Sequence, residues 1–297
     1  MIYFFICSAI WGLTWIAIKN QFHALDSNVA VFYRFIVASL ILFAYAKIKK
    51  LPLKFNQKQH LNFVAQGFFM FCLNYLLTYW ASHLAPSALV ALAFTSLIFF
   101  NMFGGHFFFN LKIERKVFIG AFISLIGMGF ISYNELSTYS LHPPSIIGFI
   151  ISLVATVSAS AGNLFSLKNR EKKIAITSNN AWGMLYGSGL TLIFCLITQR
   201  SFVIHSFDQT FVLSFIYLTI FGTIISFGSY LKLIEILGPS KAAFTSVVSP
   251  VIAVGVSLLY ENLPLTIYLI LGISFCLSGN LVALVHPHQL GFKKYAN

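Results

Sequence analysis

LGPSKAAFTSVVSP, residues 237–250, and LAPSALVALAFTS, residues 84–96, say nearly the same thing at two places in one chain. Each opens with Leu, a small residue and Pro-Ser, then runs through small and apolar residues to a Thr-Ser pair. Aligning Pro86 with Pro239 sets Ala85 on Gly238 and Ser87 on Ser240. With one residue of slippage, Gly120 and Gly127 then fall on Gly272 and Gly279. The chain therefore reads as two related halves, 1–138 and 139–297.

Composition says what each half is made of. Of 297 residues, 58% are hydrophobic, 17% aromatic and only 9% charged, against about 25% charged in an ordinary soluble domain. Crossing a hydrocarbon core of about 30 Å takes roughly 20 apolar residues in a helix. Ten such stretches fit, at 2–18, 28–46, 61–81, 87–109, 117–133, 145–167, 178–198, 209–231, 241–260 and 264–285. The reading is an all-α membrane protein, with no soluble domain left over. The first stretch lacks the basic flank of a secretory signal and leads straight into a second span, so it reads as a helix.

The net charge of +12 invites a nucleic-acid partner, but the cations are distributed by topology. With a cytoplasmic N-terminus, the inner connections and tail take Lys47, Lys49, Lys50, Lys54, Lys58, Lys112, Arg115, Lys116, Lys168, Arg170, Lys172, Lys173, Lys232, Lys241, Lys293 and Lys294. Only Lys19, Arg34 and Arg200 remain for the other side, which by the positive-inside rule places both termini inside. The four cysteines all lie in expected spans without CxxC spacing, so neither disulfides, a metal nor a cofactor is expected. His106, near the inner end of the fourth span, reads as an interfacial ring or a pore residue.

Five spans per half is an odd number, so the second half enters the bilayer from the opposite side. Inverted pairs of this kind enclose a site near mid-bilayer, reached alternately from each face. Gly120, Ser124 and Gly127, with Gly272, Cys276 and Gly279, recur at i, i+4, i+7 and read as flat stripes for close helix packing. Polar side chains at helical spacing should face protein or water rather than lipid. Thr219, Thr223, Ser226 and Tyr230 form one such face, and Ser152, Thr156 and Asn163 another. Asn74 with Thr78, Tyr75 with Tyr79, and Trp11 with Trp15 add to them, as do Ser96 and Ser249. Two readings stay open: hydroxyls that bond back to their own helix, or a polar cavity with aromatic walls. Pro250, at mid-span nine, is the expected hinge. Span four has Leu97 or Ile98 in its place, so that hinge would be asymmetric. Arg34 lies about 10 Å into span two at 1.5 Å per residue, and either snorkels or holds a carboxylate or phosphate. No Asp or Glu falls inside a span, so a buried carboxylate proton relay is unsupported.

AIWGLTWIAIK (9–19), FYRFIVASLIL (32–42), NYLLTYWASHLAPSALVALAF (74–94) and SPVIAVGVSLLYENLPLT (249–266) together resemble the EamA family of the drug/metabolite transporter superfamily. The resemblance implies a ten-helix carrier of the bacterial inner membrane, one EamA-like repeat per half, with a central cavity. It also implies export of amino acids, their derivatives or other small metabolites. The chain departs from the family pattern in lacking a mid-helix Pro in span four and in placing Phe109 or Asn110 where a Glu is expected. Expected partners are a small-molecule substrate and the lipid bilayer, with a homodimer left open. The competing functional readings are import or exchange on the same fold, and a membrane receptor that does not transport. The geometry has a direct check: in accessibility labelling of the intact membrane, residues 82–86 and 235–241 should react from opposite faces.

Overall fold

Every regular element is a helix over the residues that the structure, a computed structural model, describes: 2–19, 21, 24–85, 87–138, 143–260 and 265–284. The elements are α1 (Ile2–Lys19), α2 (Ser27–Ile48), α3 (Gln57–Gln66), α4 (Asn74–Leu84), α5 (Ser87–Thr95), α6 (Leu97–Phe109) and α7 (Arg115–Thr138), then α8 (Pro143–Glu171), α9 (Ile176–Ile197), α10 (Gln209–Thr219), α11 (Ser226–Leu237), α12 (Pro239–Ala242), α13 (Thr245–Tyr260) and α14 (Ile267–Leu284). A π-helical segment, Gly67–Leu73, joins α3 to α4, and another, Ile220–Ile225, joins α10 to α11.

Local chemistry sets the ends. Asp26 caps α2 by accepting from the backbone N–H groups of Asn28 and Val29 at 2.8 and 3.4 Å. Asn56 and Gln59 form a reciprocal capping box on α3, and Asp208 accepts from Phe211 N at 2.7 Å to start α10. Gly238, at φ +83°, ends α11 in a conformation that a side chain would strain, and Pro239 follows at the first position of α12.

Eight stretches among the described residues are long and apolar enough to cross a membrane: Ser27–Ile48, Gln57–Leu84, Leu89–Phe109, Arg115–Tyr133, Pro143–Glu171, Ile176–Ile197, Gln209–Leu237 and Ile267–Leu284. Large apolar side chains such as Phe107, Phe122, Ile150 and Leu281 line the outside of this bundle, as lipid requires. The expected first span is helical throughout as α1, and the expected ninth is helical on both sides of a break. The apolar run of α1 is Ile2–Thr14, and the ninth is interrupted before α13, which has 16 residues.

That interruption lies away from the expected hinge residue. Pro250 lies inside an unbroken α13, and the break falls earlier, at Ala243 and Phe244. Span four, which has no Pro, is broken too, at Ser96 between α5 and α6. Both breaks occupy the same tetrapeptide, Ala-Phe-Thr-Ser, at 93–96 and 243–246. In each copy the Ser backbone N–H and its hydroxyl both donate to the Ala carbonyl three residues back. The N–H bonds are 3.0 Å for Ser96 and 2.9 Å for Ser246, and the hydroxyl bonds 2.5 and 2.7 Å. Doubling that acceptor tightens the helix to a 3₁₀ turn. The two breaks meet, because Ser246 Oγ also approaches Phe94 O at 3.3 Å.

α7 lies along α14, α2 along α9, α1 against α11 and α13, and α8 against α4 and α6. The glycine stripes read from sequence form the α7–α14 contact. A Cβ on Gly127 would stand 2.7 Å from Gly272 O, and one on Gly279 would stand 2.5 Å from Gly120 O. Backbone meets backbone there, with Ser124 and Cys276 buried between the glycines. Gly127→Leu should therefore destabilise by about 2 kcal/mol or more, lowering the unfolding temperature of the purified protein. Gly129→Ala, whose added methyl meets nothing within 4 Å, should leave it unchanged.

Candidate functional site

Arg34 is the single charged side chain of α2 above its last turn, and it is 3% exposed. Placing an Arg at the centre of a membrane helix costs about 2.5–3.5 kcal/mol, so its partners matter. Nε donates to Thr223 Oγ1 at 2.5 Å and Nη2 to the carbonyl of Gly222 at 3.0 Å. Hydrogen bonds to a charged group contribute roughly 1.5–3 kcal/mol each, enough to hold the guanidinium inside the bundle. It does not snorkel. The guanidinium carbon also stands 5.7 Å from the ring centroids of both Phe35 and Tyr75, within cation–π range. Among the described residues no carboxylate lies within ion-pair distance of it. Nη1 makes no hydrogen bond to them either.

The acceptors come from the second π segment. Widening the helix there lets Thr223 Oγ1 donate to Leu218 O at 2.8 Å and Ser226 Oγ donate to Phe221 O at 2.8 Å, each five residues back. The Gly222 carbonyl is turned toward neighbouring helices, where it accepts from Trp11 Nε1 at 3.3 Å as well as from Arg34. From α10, Tyr217 returns a bond to Ile10 O at 3.1 Å. The Trp11 ring packs 5.4 Å from Phe227 and 5.2 Å from Tyr230. Tyr230 OH accepts from Asn163 Nδ2 at 2.9 Å, Asn163 Nδ2 also reaches Asn101 Oδ1 at 3.3 Å, and Asn101 Nδ2 donates to Pro239 O at 2.9 Å.

The structure thus connects Trp11, Arg34, Tyr75, Asn163, Thr223 and Tyr230. On α4, Asn74, Tyr75, Thr78 and Tyr79 are half-buried on one side, while Phe35, Phe71 and Phe227 around them are buried. Trp11 is half-buried too. The remaining expected hydroxyls bond within their own helices: Thr78 to Asn74 O, Thr156 to Ser152 O, Ser249 to Thr245 O, Ser96 to Ala93 O and Ser226 to Phe221 O. Trp15 lies on α1, and its side chain is outside the described residues, as is Pro86. His106 is exposed at the end of α6, its Nδ1 3.0 Å from Leu111 O, an interfacial position rather than a pore one. Sequence reasoning missed the Gly222 carbonyl, Asn101 and Phe227. Asn101 carried a readable signal, a lone amide within the apolar run of α6.

The model of the EamA-like transporter family matches residues 1–133 and 146–285. The chain belongs to the EamA-like transporter family. It is similar to the uncharacterized transporter YoaV of Bacillus subtilis (strain 168), 27% identical over 267 residues that cover 89% of each chain. A probable amino-acid metabolite efflux pump of Escherichia coli (strain K12) is 25% identical over 278 residues, 91% of this chain and 89% of that one. A solved crystal structure superposes with a TM-score of 0.79 at 15% identity, covering 97% of this chain and 98% of the other. This EamA-like protein is therefore an integral, multi-pass membrane transporter. Within it, Thr223→Val should leave Arg34 Nε without its acceptor and destabilise the protein by about 1–3 kcal/mol, seen as a lower unfolding temperature in detergent. Thr223→Ser, which keeps the oxygen, should stay near the parent.

Proposed function

We propose that this chain is a ten-span carrier that exports a small organic metabolite, an amino acid or a derivative, by alternating access. It would consist of two inverted five-helix repeats in the inner membrane of a bacterium, with both termini cytoplasmic. Three matched features support the repeats. The π segments begin at Gly67 and Ile220, the same distance ahead of Pro86 and Pro239. The two Ala-Phe-Thr-Ser breaks bond alike, and the family model matches each half. The cation distribution supports the orientation.

The observation that carries the substrate reading is Arg34, a buried guanidinium with one terminal nitrogen free of bonds to the described residues. A carboxylate meeting it would gain a charge-assisted hydrogen bond in a low-dielectric surrounding. Half-buried Trp11, Asn74, Tyr75, Thr78 and Tyr79 would wall the cavity beside it, with Asn163, Thr223 and Tyr230 behind them. The bilayer and this solute are the partners required. The exposed apolar rows of α7 and α14, which include Phe122, Phe275 and Leu281, suit lipid or a second copy of the chain.

In liposomes preloaded with a mixed amino-acid pool, the purified protein should drive counterflow of at least one labelled amino acid. Arg34→Gln should abolish its preference for carboxylate-bearing over neutral solutes. Binding without counterflow would favour the receptor reading, and unchanged selectivity in a well-folded Arg34→Gln protein would remove Arg34 from the site.

A further inference from the structure

The two copies of the quoted stretch differ where the chain turns back into the bundle. From Pro86 to the first Ala-Phe-Thr-Ser there are six intervening residues, Ser-Ala-Leu-Val-Ala-Leu, and from Pro239 to the second only three, Ser-Lys-Ala. The second copy thus loses about one helical turn and gains a cation, Lys241, where the first copy has Ala88 or Ala91 according to the register chosen. The shortened element, α12, packs against α6. Lys241 is 8% exposed, and its Nζ lies 2.8 Å from Glu114 Oε2 in the link between α6 and α7. Close by, Asn101 Nδ2 donates to Pro239 O at 2.9 Å. Both bonds join a residue of the first family-matched segment to one of the second.

We infer that the Lys241–Glu114 ion pair is a releasable latch that holds the two halves together at the cytoplasmic mouth, and that it must separate before the carrier opens inward. The sidedness rests on the proposed function; the latch itself rests on the contact. A second ion pair between the halves, Arg200 Nη1 to Asp26 Oδ2, lies at the face assigned to Arg200, but it is longer at 3.6 Å and its Arg is 44% exposed, so the tighter fastening is the one at Lys241. Its two ends are unequally wet. The Glu114 side chain is already 34% exposed and can be rehydrated on separation, whereas that of Lys241 is 10% exposed and must be carried out of its pocket by movement of α12. A latch of this kind shifts a two-state equilibrium by its differential free energy for the two states. Lys232 and Arg170, which pair with Glu235, occupy a separate cluster and do not compete for Glu114.

Hydrogen exchange of the full-length protein in nanodiscs tests the inference without requiring a known substrate. Glu114→Gln and Lys241→Met should each speed exchange in peptides covering 237–245 and 97–114 by about fivefold or more, the lower end of typical coupling between states. Peptides from α7 and α14 should exchange as in the parent, which reports an intact fold. The charge-swapped K241E/E114K double variant should return exchange toward the parent rate. Parent-like exchange in both single variants would overturn the latch, and so would a double variant that exchanges as fast as they do. Counterflow on the same preparations separates the two readings: faster exchange in the single variants with no counterflow by the parent would uphold the latch and overturn the carrier.

Discussion

One carbonyl, that of Gly222, binds three parts of this bundle together. It accepts from Arg34 on α2 and from Trp11 on α1 while belonging to the π segment that links α10 to α11. In an ordinary α-helix that oxygen would be committed to an N–H four residues on. In a bilayer a freed carbonyl costs several kcal/mol unless protein satisfies it. The π turn and the two donors therefore need each other: the segment supplies an acceptor that the charge requires, and the donors cover the oxygen that the segment releases. Thr223 completes the exchange, accepting from Arg34 through the same hydroxyl that donates to Leu218 O.

Two kinds of repetition hold the rest in shape, and they act through different physics. Gly120, Gly127, Gly272 and Gly279 work by what they lack. With no Cβ, α7 and α14 approach until backbone touches backbone, the way membrane helices gain packing when no hydrophobic effect drives them together. The Ala-Phe-Thr-Ser copies work by an added group, a hydroxyl that competes for its own helix's carbonyl and bends the chain at the point where the two broken spans cross. The α7–α14 seam is close-packed backbone on backbone, whereas the crossing at Ser96 and Ser246 is held by bent helix and hydroxyl bonds.

Much of this was legible from residues alone. Low charge and long apolar runs required helices across a membrane, and the glycine spacing located the α7–α14 seam. The lone Arg34 stood out because a cation in a span needs partners, and the structure gives it Thr223 Oγ1 and the Gly222 carbonyl. The π segments were not legible, because Gly67–Leu73 and Ile220–Ile225 contain no Pro and differ in sequence from each other. A one-residue change in bonding register leaves no trace in hydropathy. The breaks in spans four and nine were not legible for a related reason. Pro250 is the strongest local breaker in sequence, yet a Pro within a membrane helix is accommodated when neighbours re-satisfy the backbone. Thr-Ser, weak breakers in general, act here because both copies double their bonds to one Ala carbonyl. The hydroxyl stripes that suggested a wet face are largely intrahelical bonds, and the amides Asn101 and Asn163 carry the contacts between helices.

Those amides link the site to the rim of the bundle. The ring of Trp11 rests on Tyr230, Tyr230 OH accepts from Asn163, Asn163 reaches Asn101, and Asn101 holds the carbonyl of Pro239 at the head of α12. Coupling along such a path requires an element with two discrete arrangements, not adjacency alone. α12 has the attributes of one. It is four residues long, flanked by Gly238 at positive φ and the break at Ala243, and two polar bonds to the first half accompany its buried Pro239 and Ala242. Trp11 and Tyr230 are in this way joined through the amide pair to one of the two polar fastenings of α12. The surroundings of Arg34 and the link at Glu114 thus share a physical connection through neutral hydrogen bonds, which are weaker than charged ones and so break more readily.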